Sequence, residues 1–344
     1  MAIPAVSLAP VRHRTPKSAL ARSLAMLVVL LAASALIASW AGYQRLDWYA
    51  LSHDATAREV FFRLRLPRVA MAGIVGATLA LVGASLQALF RNPLADPFTL
   101  GVSGGGVLGA SIAIALGWGA RVFAVPVVFL AAFAGSAAAI VLVYRIARSG
   151  GTIMPGSLLL AGVVLNLTAG AGVLTIQYLA DQTRALQILR WMIGSLDAVG
   201  FQTIDQMLIF LVPGWILLMA LSRDLHLLAM DEDTAASLGV NVRRCEIFVY
   251  TISSLLVGVT VAVGGTIGFV GLIVPHIVRL LFGQDVRIVM PCSFLLGAAF
   301  LILADAVART ALGASELPVG AVTGILGGPF FLWLMRREQR YSAM

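Results

Sequence analysis

Lysine is almost absent from this chain. Its 344 residues contain a single one, Lys17, in the stretch Pro16-Lys17-Ser18. A phosphate-cradling Walker A loop needs glycine ahead of Lys-Ser, so nucleotide hydrolysis on this polypeptide is excluded. Charge of either sign is scarce, at 12% of residues against about 25% in a soluble domain. Two isolated cysteines, Cys245 and Cys292, imply neither a disulfide framework nor a metal knuckle. Four histidines far apart in sequence offer no metal-ligand spacing. The long apolar stretches lack the period-two alternation that a membrane barrel requires, which argues against strands.

What is present is hydrophobic: 60% of residues, with a mean hydropathy of +0.96. The fold class is therefore an all-α polytopic membrane protein. About ten transmembrane segments are expected, over residues 24–40, 67–90, 98–117, 122–146, 157–180, 204–221, 246–263, 272–282, 291–308 and 319–335. The net charge of +8 comes from basic residues at the ends of apolar runs, so it reads as membrane topology and not as a nucleic-acid surface. Alternating the loops from an inside N-terminus puts the larger share of the arginines inside, with both termini there. Residues 24–40 also resemble a signal peptide with Ala33-Ser34-Ala35 as a cleavage site, but the run continues past it, which favours a retained first span. Pro67 is expected to open the second span, since proline suits a first helical turn.

One polar island, residues 230–244, interrupts the later spans with Asp231, Glu232 and Asp233 side by side. Asp231 or Asp233 can cap a short helix, Ala235, Ala236 and Leu238 supply a small apolar stripe, and Gly239 stands where the helix ends. Too short to span, this helix suits the socket of another protein; a solvated loop with a capped turn is the plainer reading.

Inside the apolar runs polar groups are few. Asp305 lies four residues before Arg309, a spacing for an ion pair on one helix face, with a proton relay as the alternative. His276 follows Pro275 in a broken helix, where a structural role is the default. The glycines between Gly101 and Gly109 read as close helix packing. Gly162, Asn166 and Gly170, four apart, form a small polar stripe that either lines an aqueous path or joins helices. A chain with no energy source of its own and a docking island suggests a permease driven by a separate ATPase. An ion-coupled secondary transporter relying on Asp305 is the rival.

Several motifs carry a family likeness. Arg65-Leu-Pro-Arg68, Gln87-Ala-Leu-Phe-Arg-Asn-Pro-Leu-Ala-Asp-Pro97, Leu100-Gly-Val-Ser103, Gly268-Phe-Val-Gly-Leu-Ile-Val-Pro-His-Ile-Val-Arg279, Ala304-Asp-Ala-Val-Ala-Arg309 and Glu316-Leu-Pro-Val-Gly320 resemble the FecCD family, in order, over residues 24–338. These are membrane subunits of type II ABC importers for iron-siderophores, haem and cobalamin. The resemblance implies a single permease domain at 24–338 between short cytoplasmic tails, 1–23 and 339–344, in the bacterial inner membrane. It implies no enzyme activity and no cofactor on the chain, with ATP and magnesium held by the ATPase. The implied partners are a second copy of the chain, two ATPase subunits and one periplasmic binding protein, with no nucleic acid. It further assigns Asp231, Glu232, Asp233, Ala236, Leu238 and Gly239 to ATPase coupling, and Arg65 and Arg309 to docking of the binding protein. Asn92, Leu94, Pro155 and Gly156 fall at the cytoplasmic gate, where Pro155 and Gly156 depart from the small hydroxyl residues of the vitamin B12 permease.

Overall fold

Apolar runs of this length can satisfy their backbone groups in lipid only by coiling, and helices dominate accordingly. The computed structural model describes residues 17–342 apart from 43–47, 120, 123–124, 150–151, 154, 197–199 and 314–315. In chain order the helices are α1 (Lys17–Trp40), α2 (Trp48–His53), α3 (Ala55–Glu59), α4 (Leu66–Leu89), α5 (Val102–Ala115), α6 (Val127–Ala147), α7 (Pro155–Leu179), α8 (Gln182–Ile193), α9 (Phe201–Ala220), α10 (Ser222–Met230), α11 (Glu232–Ser237), α12 (Val242–Gly264), α13 (Val270–Phe282), α14 (Val286–Thr310) and α15 (Val319–Ser342). Seven helices are long and apolar enough to cross a bilayer, and α5, α13 and the Val319–Leu332 part of α15 are shorter apolar ones. Every expected segment is thus matched by an apolar helix.

Three boundaries and one element type differ from expectation. Pro67 does not open its helix: a continuous rod runs from Ala55 to Leu89. A π-helical turn over Val60–Arg65, in which the Leu66 amide donates to the Phe61 carbonyl, widens the backbone just before the proline. That widening accommodates a ring that would otherwise clash with the preceding turn. Pro291 likewise lies inside α14, which starts at Val286 with Asp285 as its cap, 3.0 Å from the Arg287 amide. α15 continues to Ser342, into the expected tail. Strands do occur, as two minimal antiparallel hairpins: β1 (Arg121–Val122) with β2 (Val125–Pro126), and β3 (Arg148–Ser149) with β4 (Thr152–Ile153).

The rod ending in α4 is the central post. Met71, Leu79, Leu81 and Leu86 are fully buried on it, and small residues let neighbouring backbones approach. A Cβ at Gly76 would fall on the Gly297 carbonyl of α14, and one at Gly83 on the Gly271 carbonyl of α13. The same economy joins α5 to α6, where Gly105 and Gly135 face one another. The glycines of 101–109 are therefore packing surfaces. Because backbone and not a flexible side chain occupies the space at Gly83, Gly83→Val is expected to lower stability by about 1–3 kcal/mol or more through overpacking. Thermal unfolding in detergent reads this, and an unchanged midpoint would show that α4 and α13 are further apart.

Chain direction follows from two contacts. α14 starts beside α10, where Asp285 lies 3.7 Å from His226, and ends where Arg309 donates to the Ala38 and Ala41 carbonyls, 3.0 Å each, at the end of α1. The N-terminal part of α1 therefore points to the end of the molecule that carries the island. α15 returns to that same end, since it begins just after Leu317, whose amide donates to Ala308.

Candidate functional site

The island end is built from two short helices where one was expected. α10 turns its Leu225 and Leu228 inward, and the spacing of three is the signal that the sequence offered for it. Asp231 then breaks the chain with extended backbone and caps α11. Its carboxylate accepts from the Thr234 amide and hydroxyl, both at 2.8 Å, and these bonds hold it below the ordinary carboxylate range. A depressed value means that the cap contributes above the unfolded group's pKa of 3.8 and is lost as the pH falls through the lowered one.

α11 ends at Gly239, with φ +89°. The Gly239 amide donates to Ala236 and the Val240 amide to Ala235, both at 3.0 Å. This pair of bonds closes a Schellman motif, in which glycine is favoured. The apolar stripe is split by the structure. Ala235 is wholly buried, whereas Asp231, Glu232, Asp233, Ala236, Leu238 and Gly239 are all exposed. α11 thus presents an acidic edge and one large apolar side chain, Leu238, 60% exposed.

Glu232 reaches Arg91 at 3.4 Å, joining the island to the end of α4. Arg91 itself has φ +49°, an uncommon conformation for a side chain with a Cβ. It is held there by a second Schellman pair, Arg91 amide to Ala88 and Asn92 amide to Gln87. The following reversal has the expected tightness. Asn92 Oδ1 accepts from the Leu94 amide at 2.9 Å, and Asp96 caps a 3₁₀ turn over Pro97–Leu100 by accepting from Phe98. Of the four expected gate residues, Asn92 is half-buried and Leu94 exposed. Gly156 stands exposed in the first turn of α7, with nothing within 4 Å of a built Cβ. Pro155 opens α7, and its side chain lies outside the described residues.

The polar stripe of α7 does not act as one unit. Asn166 clamps α7 to the start of α5: its Nδ2 donates to Phe98 O at 2.7 Å, and its Oδ1 accepts from the Gly104 amide at 2.9 Å. Gly162 is buried against the Thr99 carbonyl. These two join helices, and only Gly170 faces open space.

At the opposite end a buried charge cluster replaces the single expected pair. Asp305 is fully buried. It pairs with Arg309 at 2.9 Å, as its spacing predicted, and also with Arg68 Nε at 3.1 Å. Arg68 continues to Glu316 at 2.6 Å. Sequence reading missed Arg68 as a partner, because the pair is separated by 237 positions. Arg65 and Arg309 are brought together, but not as free surface cations: they are 7% and 4% exposed. Arg65 donates to the Trp40 carbonyl at 3.1 Å, and Arg309 to those of Ala38 and Ala41. Both thereby satisfy orphan carbonyls at the C-terminus of α1, where cations are favoured.

With this geometry, three known proteins can be set beside the chain. The hemin transport system permease protein HmuU of Yersinia pestis is 38% identical over 328 residues, covering 94% of this chain and 98% of that protein. The vitamin B12 import system permease protein BtuC of Salmonella paratyphi A is 39% identical over 320 residues, 92% of this chain and 95% of its own length. A solved ABC transporter described as of metal-chelate type, in an inward-facing conformation, superposes with a TM-score of 0.81 at 32% identity, covering 92% of this chain and 99% of that one. The model of the FecCD transport family matches residues 24–337. Near-complete coverage by sequence and by structure establishes that the chain belongs to the FecCD transport family of ABC importer permeases.

Proposed function

We propose that the chain is the passage of an ATP-driven importer for a metal chelate, with haem or an iron-siderophore as the cargo class. The observation that carries this reading is the shape of α11, a capped, rigid knob with Leu238 and three carboxylates turned outward at one end of the helices. A short helix of this kind fits the groove of an ATPase, and closure of paired ATPases would move it as a lever. Two ATPase subunits then sit at the island end, where both termini would be cytoplasmic in a bacterial inner membrane. One periplasmic binding protein sits at the other. A second copy of the chain completes the passage; α7, with Leu160, Leu167 and Leu174 all more than 60% exposed, has an apolar face available for lipid or for that copy.

The cargo arrives with its metal already wrapped, so the walls need no ligands, and tight binding within them would slow release. Arg65 and Arg309 would serve docking indirectly, by fixing the end of α1 beneath the surface where the binding protein lands. Exposed Arg58 and Arg63 on the adjoining segment would supply cations to acidic lobes. Cobalamin is the alternative cargo, supported by the identity with BtuC. Direct titration of the cognate binding protein with hemin, a ferric siderophore and cobalamin tests the cargo class. Saturable binding of hemin or the siderophore is expected, and binding of cobalamin alone would overturn that choice.

A further inference from the structure

A cavity of about 610 Å³ opens at the island end between the ends of α4 and α10 and the segments α13 and α14. Its size falls within the range of about 300–1,000 Å³ typical of ligand sites. Its wall is strongly basic: Arg91, Arg279 and Arg287 line it with His226 and His276, against one carboxylate, Asp285. That carboxylate is already engaged by Arg287 at 2.6 Å and Arg91 by Glu232 at 3.4 Å, which leaves Arg279 as the lining arginine with no carboxylate partner among the described residues.

Arg279 is the telling residue. It enters from α13, gives one guanidinium nitrogen to the amide oxygen of Gln87, and forms no ion pair among the described residues. Its Nη1 is buried with no hydrogen-bond partner. A buried guanidinium donor left without an acceptor is costly, and a planar guanidinium lining a cavity matches a phosphate group. Met230, among the lining residues, is 69% exposed, and Leu280, also lining, is 56% exposed. An apolar rim therefore flanks the charged floor.

From these features we infer that the cavity is a binding site for a phosphate group, with Arg279 as its central ligand and Arg91 and Arg287 beside it. The apolar rim favours a phosphate that carries acyl chains, the headgroup of an anionic phospholipid. Only the choice of the inner leaflet as its source rests on the proposed function.

The test uses the full chain purified in neutral detergent, titrated with short-chain phosphatidylglycerol, short-chain phosphatidylcholine and inorganic phosphate at constant ionic strength, with the unfolding temperature as readout. A saturable rise with phosphatidylglycerol, absent with phosphatidylcholine and weakened at least tenfold in Arg279→Gln, supports the site with lipid as source. A saturable rise with inorganic phosphate, equally lost in the variant, supports it with a free anion as source. Should Arg279→Gln not fold, Arg91→Gln, altered at an exposed side chain, is expected to weaken the same response severalfold. No saturable response to either phosphate, or equal responses from wild type and a folded variant, would overturn the inference. None of these readouts involves transport, so failure here leaves the proposed function standing, and the reverse.

Discussion

Asp305→Asn is expected to destabilise the protein by about 3–5 kcal/mol, the scale on which a buried ion pair fails when one partner is removed. The wild-type carboxylate is fully buried and meets Arg68 Nε at 3.1 Å and Arg309 at 2.9 Å. Asparagine would keep the shape and remove the charge, leaving two buried guanidiniums to share Glu316, whose side chain is 47% exposed. Replacing Arg68, Asp305 and Arg309 together by apolar residues of similar volume should cost less, since no buried charge is stranded and what remains is the half-exposed Glu316 and the carbonyls of Ala38 and Ala41 that Arg309 had satisfied. The comparison separates two roles for Asp305. A cluster that holds α14 and α4 together predicts a large fall in unfolding temperature for the single variant. A proton-coupling carboxylate, as an ion-driven transporter would use, predicts normal stability with uptake abolished. An unchanged unfolding temperature for Asp305→Asn would contradict the structural role.

Leu238→Asp is expected to cut ATPase-coupled transport by roughly tenfold or more, as removing a central anchor of an interface typically costs about 2 kcal/mol. The spans should remain intact, because Leu238 points outward from α11 and is 60% exposed. Ala235→Asp is the contrasting variant: Ala235 is wholly buried under the same helix, so a carboxylate there should damage the fold itself. Gly239→Val tests the rigidity of the knob. Nothing lies within 4 Å of a built Cβ there, so the penalty is conformational alone, about 1–2 kcal/mol for a left-handed backbone. Coupling should fall while the unfolding temperature of the chain drops by no more than about 2–8 °C. Normal stimulation of the ATPase by Leu238→Asp and Gly239→Val in reconstituted vesicles would remove α11 from the coupling path.

The sequence reveals these features unequally, for physical reasons. Long apolar periods need no tertiary partner to be recognised, which is why α1, α6, α7 and α12 stand close to their expected positions. The cap at Asp231 and the stop at Gly239 are local hydrogen-bond chemistry, and they too are legible. The π turn before Pro67 is not: proline signals a helix start, and only the packing of the whole rod from Ala55 decides that the helix runs through it. α10 was hidden because its Leu225 and Leu228 directly follow a long span, with no loop to mark a new element.

Long-range pairing is harder still. Arg309 was readable as the partner of Asp305 because the two share a helix face. Arg68 was not, since its approach depends on the close contact of α4 with α14 that Gly76 and Gly297 allow. The arginines at 65 and 309 show the converse problem. A motif gives their identity but not their exposure, and burial against the carbonyls of α1 emerges only in three dimensions. The stripe of α7 divides for the same reason: Asn166 and Gly162 face α5 and the turn before it, while Gly170, one turn further on, faces nothing.

The most direct measurement is solute uptake into sealed vesicles containing the purified chain, first alone and then with its ATPase and binding protein, with and without ATP. Accumulation of the metal chelate only in the complete system, and only with hydrolysable nucleotide, is the predicted result. Concentrative uptake by the chain alone, driven by an ion gradient without nucleotide, would contradict it.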